Sequence, residues 1–156
     1  MKMNLPYKAP DFTLKGADDN VHALHDFQGK WVVLYFYPQD DTPGCTAEAC
    51  GFRDNYDVLL ARGAVVIGVS RDAGESHQRF VQKYNLNFLL LSDSDHAVMD
   101  MYGAWGSKMF GNVGVLRKTF LINPVGDIVK VYGRVTPIGH ASQVLNDLAK
   151  LQQQSK

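Results

Sequence analysis

Two continuous apolar runs dominate the first half of the chain, Trp31–Tyr37 and Ala64–Ser70. Such runs, rich in β-branched and aromatic residues without polar alternation, are typical of strands buried on both faces of a sheet. Between them the pattern is helical from about Thr42 to Arg62, and Gly63 ends the helix. The first half therefore predicts a strand, a long helix and a second strand.

Shorter patterns predict the remaining elements. Residues 11–24 indicate a hairpin near the N-terminus, and residues 118–132 indicate a second hairpin around Pro124-Val-Gly126. The other predicted elements are a strand at Asn87–Ser92 and helices at Glu75–Tyr84, Asp95–Tyr102 and His140–Gln154. This alternation predicts an α/β fold with an N-terminal hairpin and a central mixed sheet flanked by helices, in one domain over residues 1–156.

The charge balance and the length of the apolar runs argue against two classes of partner. Sixteen basic residues balance sixteen acidic ones, so the chain lacks the excess of positive charge that is typical of a nucleic-acid-binding protein. Its apolar runs are far shorter than a membrane span, and the first ten residues lack the apolar centre of a signal peptide. We therefore expect a cytoplasmic protein with no nucleic acid or membrane partner.

The residues that usually bind metals are sparse. Cys45 and Cys50 are too few for a structural disulfide framework, and their spacing is not the C-x-x-C of a zinc site. The five histidines are scattered along the sequence, and we expect each of them to be a surface or capping residue. We therefore expect no bound metal.

The segment after the first apolar run carries the candidate chemistry. Thr42 suits the residue before a helix, and Pro43 suits the first helical position, so Cys45 falls at the third. A thiolate there faces unbonded N–H groups and the positive end of the helix dipole, and cysteines in such places have pKa values lowered to about 3.5–7.5. We predict that Cys45 is the reactive thiol. The alternative, a small buried hydrophobic residue, gives no reason for the flanking Pro, Thr and Gly residues.

Cys50 lies five residues further along the same predicted helix. In an ideal helix the two Cα atoms are about 8.7 Å apart, beyond the limit of about 7 Å for a disulfide. The pair can therefore oxidise only if the helix unwinds, and Gly51 lowers the cost of unwinding. We predict a switch between a folded dithiol and a locally unwound disulfide. The alternative is an unreactive Cys50 on a helix face.

The pattern Pro38-x-x-x-Thr42-x-x-Cys45 resembles the active-site signature of the peroxiredoxins. The continuation Thr-x-Glu48-x-Cys50-x-Phe-Arg-Asp resembles the bacterioferritin comigratory protein (peroxiredoxin Q) subgroup. This resemblance implies a thioredoxin-like fold and a monomeric thiol peroxidase, acting in antioxidant defence without metal, haem or flavin. It implies that Cys45 attacks hydrogen peroxide or organic hydroperoxides, that Cys50 resolves the sulfenic acid, and that thioredoxin or a similar dithiol protein reduces the disulfide.

The same resemblance implies roles for four further residues. Pro38 would shield the thiolate from water, and the Thr42 hydroxyl would bind the peroxide oxygens. Arg117 would stabilise the thiolate and the departing oxygen, and Glu48 would help to orient that arginine. Without the resemblance, Arg117 would be interpreted as a solvated cation at a strand end, and Glu48 as an exposed acid favoured by the helix dipole.

Two other functional classes remain open from the sequence. The first is a thiol-disulfide oxidoreductase or redox sensor, which a C-x-x-C pair would favour; the spacing of Cys45 and Cys50 disfavours it. The second is a non-enzymatic binding or chaperone-like module. That class predicts that Cys45→Ser leaves function unchanged.

Overall fold

The computed structural model describes residues 4–154, with the side chain of Met109 left out. Its strands are β1 (Tyr7–Lys8), β2 (Thr13–Gly16), β3 (Val21–Ala23), β4 (Trp31–Phe36), β5 (Ala64–Ser70), β6 (Leu89–Ser92), β7 (Trp105–Ser107), β8 (Val113–Val115), β9 (Lys118–Ile122) and β10 (Asp127–Tyr132). Its α-helices are α1 (Pro43–Ala61), α2 (Gly74–Tyr84), α3 (Ala97–Tyr102) and α4 (His140–Gln154). Short 3₁₀ turns cover Leu24–Phe27 and Met109–Gly111.

Eight of these strands form one mixed sheet in the order β1-β10-β9-β4-β5-β6-β2-β3. Strand β4 pairs in parallel with β5 and antiparallel with β9. The first apolar run of the sequence therefore forms a central strand of the sheet, as the sequence predicts. The α/β class, the mixed sheet and the N-terminal hairpin of β2 and β3 are confirmed.

The side chains of strand β4 alternate between the two faces of the sheet, and both faces are buried. Val33 and Tyr35 point to one face of the sheet, where α1, α2 and α4 contribute the rest of the core. Val32, Leu34 and Phe36 point to the other face, which α3 and the N-terminal segment cover. Because both faces are buried, the strand has no polar alternation.

Helix α1 starts where the sequence predicts, directly after Thr42. Its buried side includes Phe52 and Leu59, both fully inaccessible to solvent. A Cβ atom added at Gly51 would lie 3.4 Å from the Cβ atom of Ala141 at the start of α4, which is an ordinary van der Waals distance. The packing of α1 on α4 therefore leaves room for a small side chain at Gly51.

Three short strands were not predicted. Strand β1 pairs with β10 at the sheet edge, and β7 pairs with β8 in a separate two-stranded sheet. Helix α3 begins two residues later than predicted, at Ala97. The Asp93 carboxylate accepts hydrogen bonds from the N–H groups of Val98 and Met99, in the first turn of α3, at 3.3 and 2.8 Å.

Candidate active site

The candidate site lies where β4 gives way to α1. Pro43 and Gly44 are the first two helical residues, and Cys45 is the third. The first intrahelical hydrogen bond runs from Thr46 N–H to the Thr42 carbonyl, 2.8 Å, so the N–H groups of Gly44 and Cys45 precede it. The Cys45 side chain is buried, with 1% of its surface exposed, at the positive end of a 19-residue helix.

Arg117 brings positive charge to this thiol. It stands just before β9, which is the neighbour of β4 in the sheet. Its Nη2 donates to Cys45 Sγ at 3.2 Å, and its Nη1 donates to Glu48 Oε1 at 2.7 Å. The interpretation of Arg117 as a solvated strand-end cation is therefore wrong.

Glu48 is buried, with 1% of its surface exposed, and it lies beyond the first turn of α1. The interpretation of this residue as an exposed first-turn acid is therefore also wrong. Burial raises the pKa of Glu48 to about 7, against the opposing effect of Arg117. Burial disfavours the charge of Arg117, but Glu48 and Cys45 together raise its pKa above the ordinary value. The guanidinium stays charged beside the sulfur.

The two carboxylate oxygens of Glu48 have unequal surroundings. Oε1 accepts the hydrogen bond from Arg117, whereas Oε2 is buried and has no hydrogen-bond partner within residues 4–154. The hydroxyl of Tyr35 is likewise buried without a partner in that part of the chain. The charge of Glu48 adds to burial in raising the pKa of Tyr35 well above its usual range.

Gly44 leaves the space that Arg117 occupies. A Cβ atom at this position would lie 3.3 Å from Arg117 Nη2 and 3.5 Å from Pro137 Cγ. Few side chains tolerate the first of these distances without a shift of the neighbour. The glycine before the cysteine therefore permits the close approach of the guanidinium to Sγ.

The residues assigned from the resemblance are only partly brought together. Cys45, Glu48 and Arg117 form direct contacts, while Thr42 and Pro38 lie on the adjoining loop. The Thr42 hydroxyl donates to the carbonyl oxygen of Gln39 at 2.9 Å. Among the described residues it makes no capping hydrogen bond to the first turn of α1, although its position before the helix favoured one. Its oxygen atom retains the capacity to accept a hydrogen bond. Pro38 is half-buried, two residues beyond the end of β4.

Cys50 lies in the same unbroken helix as Cys45, and both cysteines are free thiols. Cys45 is buried, whereas Cys50 is partly exposed. Five residues of intact helix place their Cα atoms about 8.7 Å apart. The structure is therefore the folded dithiol arrangement, in which a disulfide between them cannot form.

Sequence reasoning missed two buried histidines. His77 is fully buried against Asp40, and His140 is buried with its Nε2 2.8 Å from the Thr119 hydroxyl. The expectation that all histidines lie at the surface or at caps is wrong for these two. A weak signal for His77 was its place on the helix face that carries Phe80 and Tyr84.

The fold and the site together define a class: a thiol at a helix N-terminus, held against an arginine on a thioredoxin-like sheet. Residues 6–131 match the model of the AhpC/TSA family. The chain belongs to this family. It is 48% identical over 151 residues to a putative peroxiredoxin bcp from Coxiella burnetii, covering 95% of this chain and all of the relative.

Solved structures agree with this assignment. A cysteine-to-serine mutant of PrxQ from Xylella fastidiosa aligns with a TM-score of 0.91 at 34% identity, covering 100% of this chain and 99% of that one. The bacterioferritin comigratory protein of Xanthomonas campestris aligns with a TM-score of 0.86 at 36% identity, covering 89% and 90% of the two chains. The chain is a peroxiredoxin, a thiol peroxidase with a thioredoxin-like fold. Within residues 4–154, no helix is long and apolar enough to cross a membrane.

Proposed function

We propose that Cys45 is the peroxidatic cysteine and Cys50 the resolving cysteine of an atypical two-cysteine peroxidase. The observation that carries this proposal is the 3.2 Å hydrogen bond from Arg117 Nη2 to Cys45 Sγ at the N-terminus of α1. A cationic donor and a helix N-terminus both favour the thiolate, which is the nucleophilic form of cysteine.

In the first step the Cys45 thiolate attacks one oxygen of the peroxide. The S–O bond forms as the O–O bond breaks, so sulfur is oxidised to sulfenic acid and the leaving oxygen takes a proton to become water or an alcohol. Arg117 and the N–H groups of the first turn of α1 stabilise the charge that develops on that oxygen. The Thr42 hydroxyl accepts a hydrogen bond from the bound peroxide, and Pro38 limits access of water. Glu48 holds the guanidinium in place.

In the second step Cys50 attacks the sulfenic sulfur of Cys45, which releases water and forms an intramolecular disulfide. The start of α1 has to unwind first, because the intact helix keeps the two Cα atoms about 8.7 Å apart.

The unwinding has a natural limit. Phe52 is fully buried and stacks on Tyr35 with ring centroids 4.9 Å apart, and Arg53 donates to the Tyr84 carbonyl at 2.6 Å. Because these contacts hold Phe52 and Arg53 in place, we expect the unwinding of α1 to stop before Phe52.

A dithiol protein, thioredoxin or a close equivalent, then reduces the disulfide by exchange. Both cysteines belong to one chain, so turnover does not require a dimer, and we propose a monomer that acts in the cytoplasm. The relative from Xanthomonas campestris has alkyl peroxide reduction activity. We therefore propose organic hydroperoxides as substrates beside hydrogen peroxide, in antioxidant defence and cell redox homeostasis.

The test is the consumption of hydrogen peroxide and of a small alkyl hydroperoxide, with thioredoxin and its reductase as electron donor. Wild-type protein should turn over both substrates. Cys45→Ser should be inactive, whereas Cys50→Ser should consume one equivalent and stop as a trappable sulfenic acid. Consumption no faster than that by free cysteine would favour the exchange or sensor function instead.

A further inference from the structure

A second polar cluster lies beneath the loop between β4 and α1 and takes no part in the steps above. At its centre, Asp40 Oδ2 and His77 Nδ1 are 2.7 Å apart, and their side chains are 3% and 0% exposed. His77 belongs to α2, whereas Asp40 belongs to the loop that carries Pro38 and Thr42. The contact therefore joins the active-site loop to a different helix.

Each polar side-chain atom of this pair has a hydrogen-bond partner. The second ring nitrogen of His77, Nε2, lies 2.9 Å from the Leu91 carbonyl oxygen, which can only accept. Asp40 accepts hydrogen bonds from the Tyr37 hydroxyl at 2.6 Å and the Ser76 hydroxyl at 2.8 Å. The Nε2 atom of His77 carries a proton because its partner is a carbonyl oxygen, and Nδ1 lies at hydrogen-bond distance from the Asp40 carboxyl group.

A bound metal ion is a poorer account of the same cluster. Asp40, Asp72 and His77 each place one potential ligand atom within 4.8 Å of the others. However, Asp72 Oδ2 accepts the Asp40 N–H at 2.8 Å and the Ser70 hydroxyl at 2.7 Å. Both nitrogens of His77 are also engaged. Protein donors therefore already satisfy the atoms that a metal would need.

The cluster fixes the loop on several sides. The Asp40 side chain is bound by α2 and its N–H by Asp72 after β5, while His77 ties α2 to β6 through Leu91. Two residues after Asp40, Thr42 directly precedes α1 and donates to the Gln39 carbonyl. The start of α1 is thus joined to a buried and fully hydrogen-bonded anchor.

We propose that Asp40 and His77 are positioning residues. Their buried contact fixes the β4–α1 loop, holds the first turn of α1 where Cys45 meets Arg117, and opposes the unwinding that disulfide formation needs. The inference rests on the proposed function, because it assigns the pair opposite effects on the two chemical steps.

His77→Gln tests this role, because glutamine lacks the rigid ring that joins Asp40 to the Leu91 carbonyl oxygen. Reduced protein is mixed with hydrogen peroxide in a stopped-flow instrument, and tryptophan fluorescence resolves the peroxide-dependent oxidation from the first-order disulfide step. We expect oxidation to slow by about 10- to 100-fold, because small displacements of reacting groups cost about that much. Disulfide formation should accelerate at least about fivefold. Asp40→Asn should give the same pair of changes.

Two variants serve as controls. His25 forms an ion pair with Asp11 at the same 2.7 Å distance, but its side chain is 62% exposed, so His25→Gln should leave both rates unchanged. Ile128 is fully buried in the core on the other face of the sheet, so Ile128→Ala lowers stability without contacting the loop. A rate change shared by this variant and His77→Gln would mean that only general stability was affected, which would overturn the positioning role.

Nitrogen-15 NMR of reduced wild-type protein tests the buried contact independently of activity. Nε2 of His77 should carry a proton that exchanges slowly with solvent, because the ring is fully buried between Asp40 and the Leu91 carbonyl oxygen. A proton on Nε2 that exchanges rapidly would overturn the buried contact. Wild-type protein with no peroxide-dependent phase would overturn the proposed function, and the kinetic role with it. Two normal phases that His77→Gln leaves unchanged would overturn the positioning role alone.

Discussion

Replacing Glu48 by glutamine should make the protein more stable above neutral pH and less active. Glutamine has nearly the same shape and can keep an oxygen 2.7 Å from Arg117 Nη1. It removes a buried negative charge whose second oxygen, Oε2, has no partner in the described chain. The change therefore isolates the cost of keeping a carboxylate inside the site.

The magnitude follows from the pKa of Glu48, which burial raises from 4.5 to about 7. A group whose pKa is raised on folding binds its proton more tightly in the folded state, so stability falls as pH rises through this interval. Each pKa unit corresponds to about 1.4 kcal/mol, so the wild-type protein should lose about 3 kcal/mol relative to Glu48→Gln between about pH 4.5 and pH 8. The loss should begin near the lower pH and be complete just above the raised pKa.

Urea unfolding of both reduced proteins across this pH range measures the difference directly. Groups that titrate equally in the two proteins cancel in the difference. A constant difference would refute the raised pKa, and a change of opposite sign would mean that Arg117 outweighs burial. Oxidation of Cys45 by peroxide should slow in Glu48→Gln, because the neutral amide holds the guanidinium less firmly.

Three further substitutions have defined outcomes. Gly44→Ala places a Cβ atom 3.3 Å from Arg117 Nη2, so peroxide oxidation measured by stopped flow should slow about tenfold or more; an unchanged rate would contradict the role of that contact. In Gly51→Ala, the added Cβ atom lies an ordinary 3.4 Å from Ala141 and alanine favours the helix by about 1 kcal/mol. Disulfide formation should therefore slow about fivefold, and a faster rate would contradict the unwinding step. Tyr35→Phe removes a buried hydroxyl without a partner in residues 4–154, so thermal unfolding should show equal or greater stability, by up to about 1 kcal/mol; a clear loss would indicate a partner for that hydroxyl.

Local patterns made much of the fold predictable. Strands β4 and β5 are buried on both faces, and that burial produces unbroken apolar runs. The residues Thr42 and Pro43 mark the start of α1, and this register placed Cys45 correctly at the third helical position. Strands β7 and β8 escaped prediction because each has only three residues with glycine in the middle.

The sequence pattern could not reveal which buried side chains pair across long distances in the chain. Glu48 is buried because Arg117, 69 positions away, provides the compensating charge. His77 is buried because Asp40, 37 positions away, provides a hydrogen-bond partner for its ring. Charged residues are almost never fully buried without a partner. Because the sequence pattern showed no partner for Glu48 or His77, both were expected at the surface. The resemblance to a family linked Glu48 with Arg117, but it offered nothing for His77.

The most direct test of the central proposal is the reaction of reduced protein with substoichiometric hydrogen peroxide, followed by peptide mapping and hydrogen exchange of α1. We predict rapid oxidation, a Cys45–Cys50 disulfide, and amide protection lost from the start of α1 but retained from Phe52 onward. Slow oxidation, or a disulfide formed while the first turns of α1 remain protected, would contradict the proposed roles of the two cysteines and of the unwinding between them.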